Sequence, residues 1–278
     1  MANLKNTVIN STDAIQLPSG TTSERPISPS DGYMRFNTDM GVVEYYVNNG
    51  WSFLPDIVKD GLVLYLDAGN PDSYPGTGST WFDLSGNSHH YSIGSNITWN
   101  SNGFFDVAGG TFTGPPSNSF GFSSENSHTV QAFVKVNQTV NNGFFHWKAT
   151  PNTGTDTRAI FTHLHYGNGN TYYDVSGCCG STQRISYPND EDLKNGVNQL
   201  TWITRTNSFP QRQILKNLKT QVDSGSNTTA TVTWNLNDAA IIGDGWQGNL
   251  HYFLAYNRAL SDKELIQNFN ALRKRFNL

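Results

Sequence analysis

The sequence predicts an all-β protein: a β-sandwich or jelly roll closed by one C-terminal helix and preceded by an extended arm and a small β-meander. Three observations carry this expectation. Short runs of alternating apolar residues recur along most of the chain, separated by Gly/Asn turns and with no helical period between them. Of 278 residues, 36% are hydrophobic, 14% charged and 26 glycine, a composition suited to many short strands joined by tight turns. Aromatic residues reach 13%, with seven Trp, so rings can fill a core in which Leu is scarce.

The elements follow in chain order. Residues 1–32 show no apolar period, and Pro18, Pro26 and Pro29 exclude helix and central strand, so the segment is expected to be an extended docking arm. Residues 33–55 read as a meander with strands at Tyr33–Phe36, Val42–Val47 and Trp51–Leu54, joined by turns at "NTDMG" and "NNG". This meander has too few apolar side chains to make its own core. Tyr33, Phe36, Tyr45 and Trp51 are therefore expected to be covered by another chain or by residues 56–278. Together with Leu17 and Pro18 of the arm they are the candidate docking residues, since an arm without a core gains stability by adding to another surface.

"PDIVKD" leads into the large domain, residues 56–278, which opens on the apolar strand "GLVLYLDAG". In "HTVQAFVKV" the alternation puts Val130, Ala132, Val134 and Val136 on one face. "RAIFTHLHY" and "TYYDVSG" flank "GNGN" as a hairpin, and "NQLTWITRT", "TATVTWNL", "AAIIGDG" and "NLHYFLAYN" are further strands. The helix is "LSDKELIQNFNALRKRF": Ser261 and Glu264 have capping-box spacing, and Leu265, Phe269, Leu272 and Phe276 recur as one apolar stripe.

Two resemblances add to this reading. The closing run "WQGNLHYFLAYNRALSDKELIQNFNALRKRF" resembles the end of laminin-G-like, concanavalin A-like jelly rolls, in which a core strand, "YNRALS" and a helix follow one another. "GLVLYLDAGNPDSY", "TWFDLSGNSHH" and "HTVQAFVKV" fall where that family places its early segments, so the resemblance spans residues 61–276 and implies the fold. It implies little about function, because such domains serve as lectins, enzymes, adhesion modules and spacers. The leader "LPSGTTSERPISPSDGYMRFNTDMGVVEYYVNNGWSFL" resembles a segment recurrent in tail-fibre and other appendage proteins of tailed bacteriophages. Arg35-Phe36-Asn37-Thr38, Glu44 and Trp51 fill its positions, with Phe36 where Tyr is usual.

Composition and motifs limit the chemistry. A net charge of −4 with no basic stripe beyond the terminal "RKRF" points away from nucleic acid, and no run is apolar enough to insert in a membrane. The start lacks a signal-peptide pattern, so synthesis and folding in a cytoplasm are expected. Cys178 and Cys179, adjacent in "SGCCGST", read as loop thiols with a vicinal disulfide as the alternative, and no second Cys pair completes a zinc site. The Glu-x-Asp-x-x-Glu run of laminarinase-type relatives is missing, as are Gly-x-Ser-x-Gly, His-Glu-x-x-His and a phosphate-binding Gly loop. "NDEDLK" at Asp190–Asp192 reads as a solvated loop, and Arg258 as a local anchor of the helix.

His163 and His165 share a strand face and could offer two imidazoles to a metal, but Phe161 on that face favours a packed role; His89 and His90 would point oppositely. No cofactor is required. Asp83 and Asn87 in "FDLSGN" and Asp244 in "GDGW" are candidate Ca²⁺ ligands if their loops meet at one rim, with turn formation as the competing role. Trp81, Tyr173 and Trp246 beside polar loops are candidate carbohydrate platforms, against a role as core anchors.

The resulting expectation is a non-enzymatic phage virion protein. Its arm would anchor to other virion proteins, its jelly roll would be displayed and contact host glycans, and it would assemble as a homo-oligomer with a trimer favoured. The alternatives are a receptor-binding lectin or adhesin for host polysaccharide and, third, a polysaccharide depolymerase.

Overall fold

The computed structural model describes residues 15–39, 42–54, 56–121, 127–175, 177, 183–188, 191–206, 211–224, 233–234, 238–276 and 278. Cys178 and Cys179 lie outside these. The chain divides into a small unit, residues 1–57 with 270–277, and a large unit, residues 58–269 with 278.

The large unit is a β-sandwich jelly roll of two antiparallel sheets. One runs β15 (Arg184–Tyr187), β14 (Thr171–Val175), β13 (Arg158–His163), β12 (Phe145–Thr150), β20 (Ala239–Ile242), β10 (Phe112–Pro116), β7 (Tyr91–Ile93) and β6 (Thr80–Trp81), with β19 (Thr233–Trp234) also on β12. The other runs β18 (Lys219–Ser224), β17 (Arg212–Lys216), β16 (Asn198–Thr204), β11 (His128–Val136), β21 (Gln247–Tyr256), β9 (Phe104–Ala108) and β8 (Ile97–Asn100), with β5 (Leu62–Asp67) also on β21.

Rings fill the space between the sheets, as the low Leu content requires. Phe145 stands 5.3 Å from Phe253 and 5.2 Å from Trp202 between ring centres, and Trp81 lies 4.8 Å from Phe105. Such edge-to-face pairs add about 0.5–1.5 kcal/mol each beyond the area they bury. Val130, Ala132, Val134 and Val136 of β11 all enter this core, as their alternation predicts.

The outer face of the second sheet carries the helix α2 (Asp262–Leu272), whose apolar stripe places Phe269 against Phe133. A buried polar clasp fixes the crossing: Asn268 Nδ2 donates to Gln131 Oε1 (2.7 Å), and its Oδ1 accepts the Val58 N–H (2.8 Å). The Val58 carbonyl takes the Tyr256 hydroxyl, so the end of the "PDIVKD" linker belongs to the large unit. Leu265, Phe269 and Leu272 are buried, and the helical run finishes as a 3-10 turn over Arg273–Phe276.

At the helix start Glu264 accepts the Ser261 N–H and hydroxyl (both 2.8 Å), and Arg258 grips the same carboxylate with two N–H groups (2.6 and 3.0 Å). Arg258 also reaches Asp60 (2.8 Å) and so ties helix, β21 and the linker together. These bonds, Arg258 first, hold the Glu264 carboxyl at about 2 instead of 4.5. A folded-state pKa below the unfolded one means that the stabilisation is complete above about 4.5 and disappears as pH falls towards 2. Glu264→Gln is therefore expected to lower the melting temperature at pH 7, with the gap from wild type closing as pH is taken from 4.5 to about 2 in a calorimetric series.

The small unit is a sheet in the order β1 (Ser19–Gly20), β2 (Met34–Asn37), β3 (Val42–Val47), β4 (Gly50–Leu54). The expected meander forms, and Asn48 and Asn49 at φ 51° and 62° supply the left-handed pair that a two-residue hairpin requires. The arm departs from expectation. Ser19–Gly20 pairs in parallel with Phe36–Asn37, the Phe36 N–H reaches the Pro18 carbonyl (2.7 Å), and Thr22–Glu24 makes a 3-10 turn. From Pro18 onward the leader is thus part of the small sheet.

Candidate functional site

A buried carboxylate organises the small unit. Glu44 is fully buried and accepts from Arg25 Nη2 (2.7 Å), Arg25 Nε (3.2 Å) and Asn37 Nδ2 (3.0 Å), with Arg35 Nε at 3.5 Å. Arg35 Nη2 reaches back to the Thr21 carbonyl (3.0 Å), and the Thr21 N–H and hydroxyl donate to Glu24 Oε2 (2.7 and 3.0 Å). Gly20 leaves room for two side-chain ends: a Cβ there would stand 2.6 Å from Arg35 Nη2 and 2.8 Å from Glu24 Oε2 and would push them aside. The leader therefore closes over one face of the sheet through charge and hydrogen bonds. A thin apolar content did not mean the lack of a core; the core is polar.

On that face an open groove of about 280 Å³ is walled by Pro18, Pro26, Tyr33, Met34, Arg35 and Trp51, with Ser19 and Glu24 at its edge. Trp51 is set from two sides, by Tyr46 (5.4 Å between ring centres) and by the Arg25 guanidinium (5.6 Å). Pairing Met34 with Tyr45 and Phe36 with Val43 puts Phe36, Val43, Tyr45 and Val47 on the opposite face, while Met34, at the end of β2 and in the same phase, also lines the groove. There Met34 is 43% exposed and Phe36 and Val47 are each 37% exposed. Of the eight large apolar side chains left exposed among the described residues, six belong to this unit: Ile15, Ile27, Tyr33, Met34, Phe36 and Val47. Of the candidate docking residues, Pro18, Tyr33 and Trp51 come together at the groove, Phe36 and Tyr45 lie on the other face, and Leu17 is half-buried.

The carbohydrate candidates are corrected. Trp81, Tyr173 and Trp246 are each wholly buried, so none is a platform. Trp81 packs on Phe105 and Phe112; Trp246 packs on Phe144, and a Cβ at Gly248 would lie 2.4 Å from its ring. The Tyr173 hydroxyl meets His128 Nε2 (2.6 Å) and Thr204 Oγ1 (2.8 Å) between the sheets, and burial pushes its pKa up.

The outward ring is its neighbour. Tyr172 lies on the outer face of the first sheet under the Arg184 guanidinium (4.4 Å), and Arg184 is held bidentately by the buried Asp174 (2.5 and 2.6 Å). Hydrogen bonding to Asp174 raises the Arg184 pKa. Tyr166 and His163 complete the cluster at 5.8 and 5.9 Å from Tyr172 between ring centres, and Asn168 of the "GNGN" hairpin donates to the Tyr172 hydroxyl (2.6 Å).

The calcium candidates each have protein partners. Asp83 Oδ1 accepts the Tyr65 and Ser85 N–H groups (2.9 Å each), and Oδ2 accepts Ser85 Oγ (2.7 Å) and the His89 N–H (3.0 Å). Four donors turned on one carboxylate shape a turn and oppose a cation. Asn87 donates to the Leu62 carbonyl, while Asp244 sits in the β20–β21 turn, 3.8 Å from His146 Nδ1. Among the described residues no three His, Cys, Asp or Glu side chains gather as a metal would need. His163 and His165 also part company: His163 Nδ1 donates to the Asn142 carbonyl (3.0 Å), and His165, at φ 56°, turns to Thr139 Oγ1 (2.8 Å). Asp192 begins the short helix α1 (Asp192–Asn195), exposed at the surface, and Asp190 lies outside the described residues. Among the described residues no helix is long and apolar enough to cross a membrane.

No protein-family model matches the sequence, and no curated protein matches it. Solved structures do. Trypanosoma rangeli sialidase in complex with sialic acid is 13% identical with a TM-score of 0.56, over 82% of this chain and 42% of that one. The binding domain of botulinum neurotoxin DC in complex with rat synaptotagmin II is 16% identical with a TM-score of 0.57, over 77% of this chain and 52% of that one. The receptor binding domain of the botulinum neurotoxin C/D mosaic serotype is 13% identical with a TM-score of 0.55. The chain spans about half or less of the length of these solved chains, and the likeness is one of fold.

Glu44 can be tested directly. Removing one partner of a buried ion pair costs about 3–5 kcal/mol, because the other charge is left buried and uncompensated. Glu44→Gln strands Arg35, which is 6% exposed, so β2 and β3 amides should exchange hydrogen much faster than in wild type. Arg25→Met should have a smaller effect, since the Arg25 side chain is 20% exposed and Arg35 and Asn37 remain on Glu44.

Proposed function

We propose that this chain is a non-enzymatic structural protein of a tailed-phage virion, attached to the particle through its small unit and displaying its jelly roll. The observation that carries the reading is the apolar face of the small sheet, on which Met34, Phe36 and Val47 are exposed beside the half-buried Val43 and Tyr45. Contiguous exposed apolar side chains on one sheet face are a common mark of protein–protein contact. The phage assignment is supported by the leader motif, whose residues have structural work: Gly20 admits Arg35, Arg25 and Asn37 bind Glu44, and Trp51 receives Arg25. A homo-oligomer is compatible with such a face. The test is to produce phage particles with wild-type chain or with Phe36→Ser and to quantify the chain by mass spectrometry of purified particles. Wild type is expected in the particles and the variant mainly in the soluble fraction; equal retention of both, or no wild-type chain in particles, would sink the reading.

A receptor-binding role for host polysaccharide is the second reading. It is supported by the outward cluster of Tyr166, Tyr172, Asn168 and Arg184 and by likeness in fold to a sialidase solved with sialic acid and to a toxin receptor binding domain. It predicts saturable binding on a glycan array that Tyr172→Ala abolishes and Phe36→Ser leaves intact; an array without a binder counts against it.

A further inference from the structure

We propose that the groove between the leader and the small sheet binds an extended, proline-containing segment of another protein chain. This builds on the reading of the small unit as an attachment module and adds the chemistry of what it holds, on the face opposite Phe36.

The walls set the first requirement. Pro18, Pro26, Tyr33, Met34 and Trp51 make most of a groove of about 280 Å³, room for one or two large side chains and too little for a folded element. Tyr33 is 48% exposed, whereas Trp51 is clamped by Tyr46 and Arg25 before anything binds, so little ordering is needed to present both rings.

Arg35 sets the second. It lines the groove and is 6% exposed, with Nη2 on the Thr21 carbonyl and Nε towards Glu44. Its Nη1 is shut from solvent and has no hydrogen-bond acceptor among the described residues. A buried donor left without an acceptor costs about 1–3 kcal/mol, more when charged. A ligand that brings an acceptor to the guanidinium, with a small turn of its flexible end, recovers that loss.

Glu24 sets the third. Its carboxylate stands beside Arg35 over Gly20, so an anionic ligand would meet a like charge at the same edge. Glu24 Oε2 already accepts two donors from Thr21, and with Ser19 it is among the few polar groups on the wall, which leaves the hydroxyls of a sugar poorly matched. An apolar ligand rich in acceptors and poor in donors fits all three requirements. A polyproline II segment has that character: its carbonyls are unpaired, proline has no N–H, its rings pack on Tyr and Trp, and its extended form is largely set before binding.

The test is an anisotropy titration of the full chain with fluorescein-labelled decaproline, alongside a length-matched Gly-Ser peptide and 3′-sialyllactose as competitor. Saturable binding is expected for decaproline alone, weakened about tenfold by Tyr33→Ser, an aromatic anchor worth about 1.4 kcal/mol. Tyr33 is nearly half exposed, so that variant keeps the fold, which Trp51→Ala would put at risk. Equal binding of the Gly-Ser peptide, no effect of Tyr33→Ser, no binding of decaproline, or displacement by sialyllactose each overturns the proposal. Phe36→Ser separates the two claims: if it still removes the chain from particles while decaproline fails to bind, attachment stands and the peptide groove falls.

Discussion

The large unit depends on one constraint: each strand must give the same face, residue after alternate residue, to the rings that meet between the sheets. Phe145, Trp147, Trp202 and Phe253 occupy that layer, and every strand's phase follows from it. A one-residue slip would bring polar groups into the layer and rings to the surface. The same phase decides the outer surface, because what is not given to the core is offered to helix α2 or to solvent. Tyr172 and Tyr173 are chemically identical neighbours with opposite fates for this reason alone.

The small unit solves a different problem. With few apolar residues it cannot be held by burial of area, so it is held by a carboxylate that two guanidinium groups and an amide surround. Buried ion pairs add less net stability than their Coulomb attraction suggests, since desolvation offsets much of it. They do specify geometry: the Arg25–Glu44 pair fixes where the leader crosses the sheet. Spending polar groups on its interior leaves the unit's apolar side chains on its outside. That inversion suits a module meant to meet another surface, and it sets an aromatic groove and an apolar face on opposite sides of one small sheet.

Period and turn chemistry made much of the fold legible. The β11 face, the Asn-Asn-Gly hairpin and the helix with its Ser261–Glu264 start all follow from spacing, because each is a local pattern, while the anchoring role of Arg258 follows from its place in the "YNRALS" run that resembles the jelly-roll family. The site was less legible. Trp81, Tyr173 and Trp246 stand beside polar loops in the sequence, but adjacency to a loop does not say which way a side chain points. For Tyr173 the alternation in "TYYDV" held the signal, since Thr171, Tyr173 and Val175 share a face and Val175 is apolar. Asp83 looked like a ligand because its loop is rich in oxygen; donors from Tyr65 and His89, on separate segments, claim it instead. The leader looked free because proline excludes helix and central strand, while a two-residue parallel pairing at Ser19–Gly20 leaves almost no trace in composition.

By itself the sequence determined the class of the fold, the position of its C-terminal helix and the strands with clear alternation, such as β3, β11 and β21, since these depend on residues within a few places of one another. Tertiary structure alone decided which rings are core and which are surface, that Glu44 joins Arg25, Asn37 and Arg35, and that prolines from the leader meet Tyr33 and Trp51 in a groove. Those outcomes depend on pairings between distant segments, and a buried charge has no meaning until its partners have been brought to it.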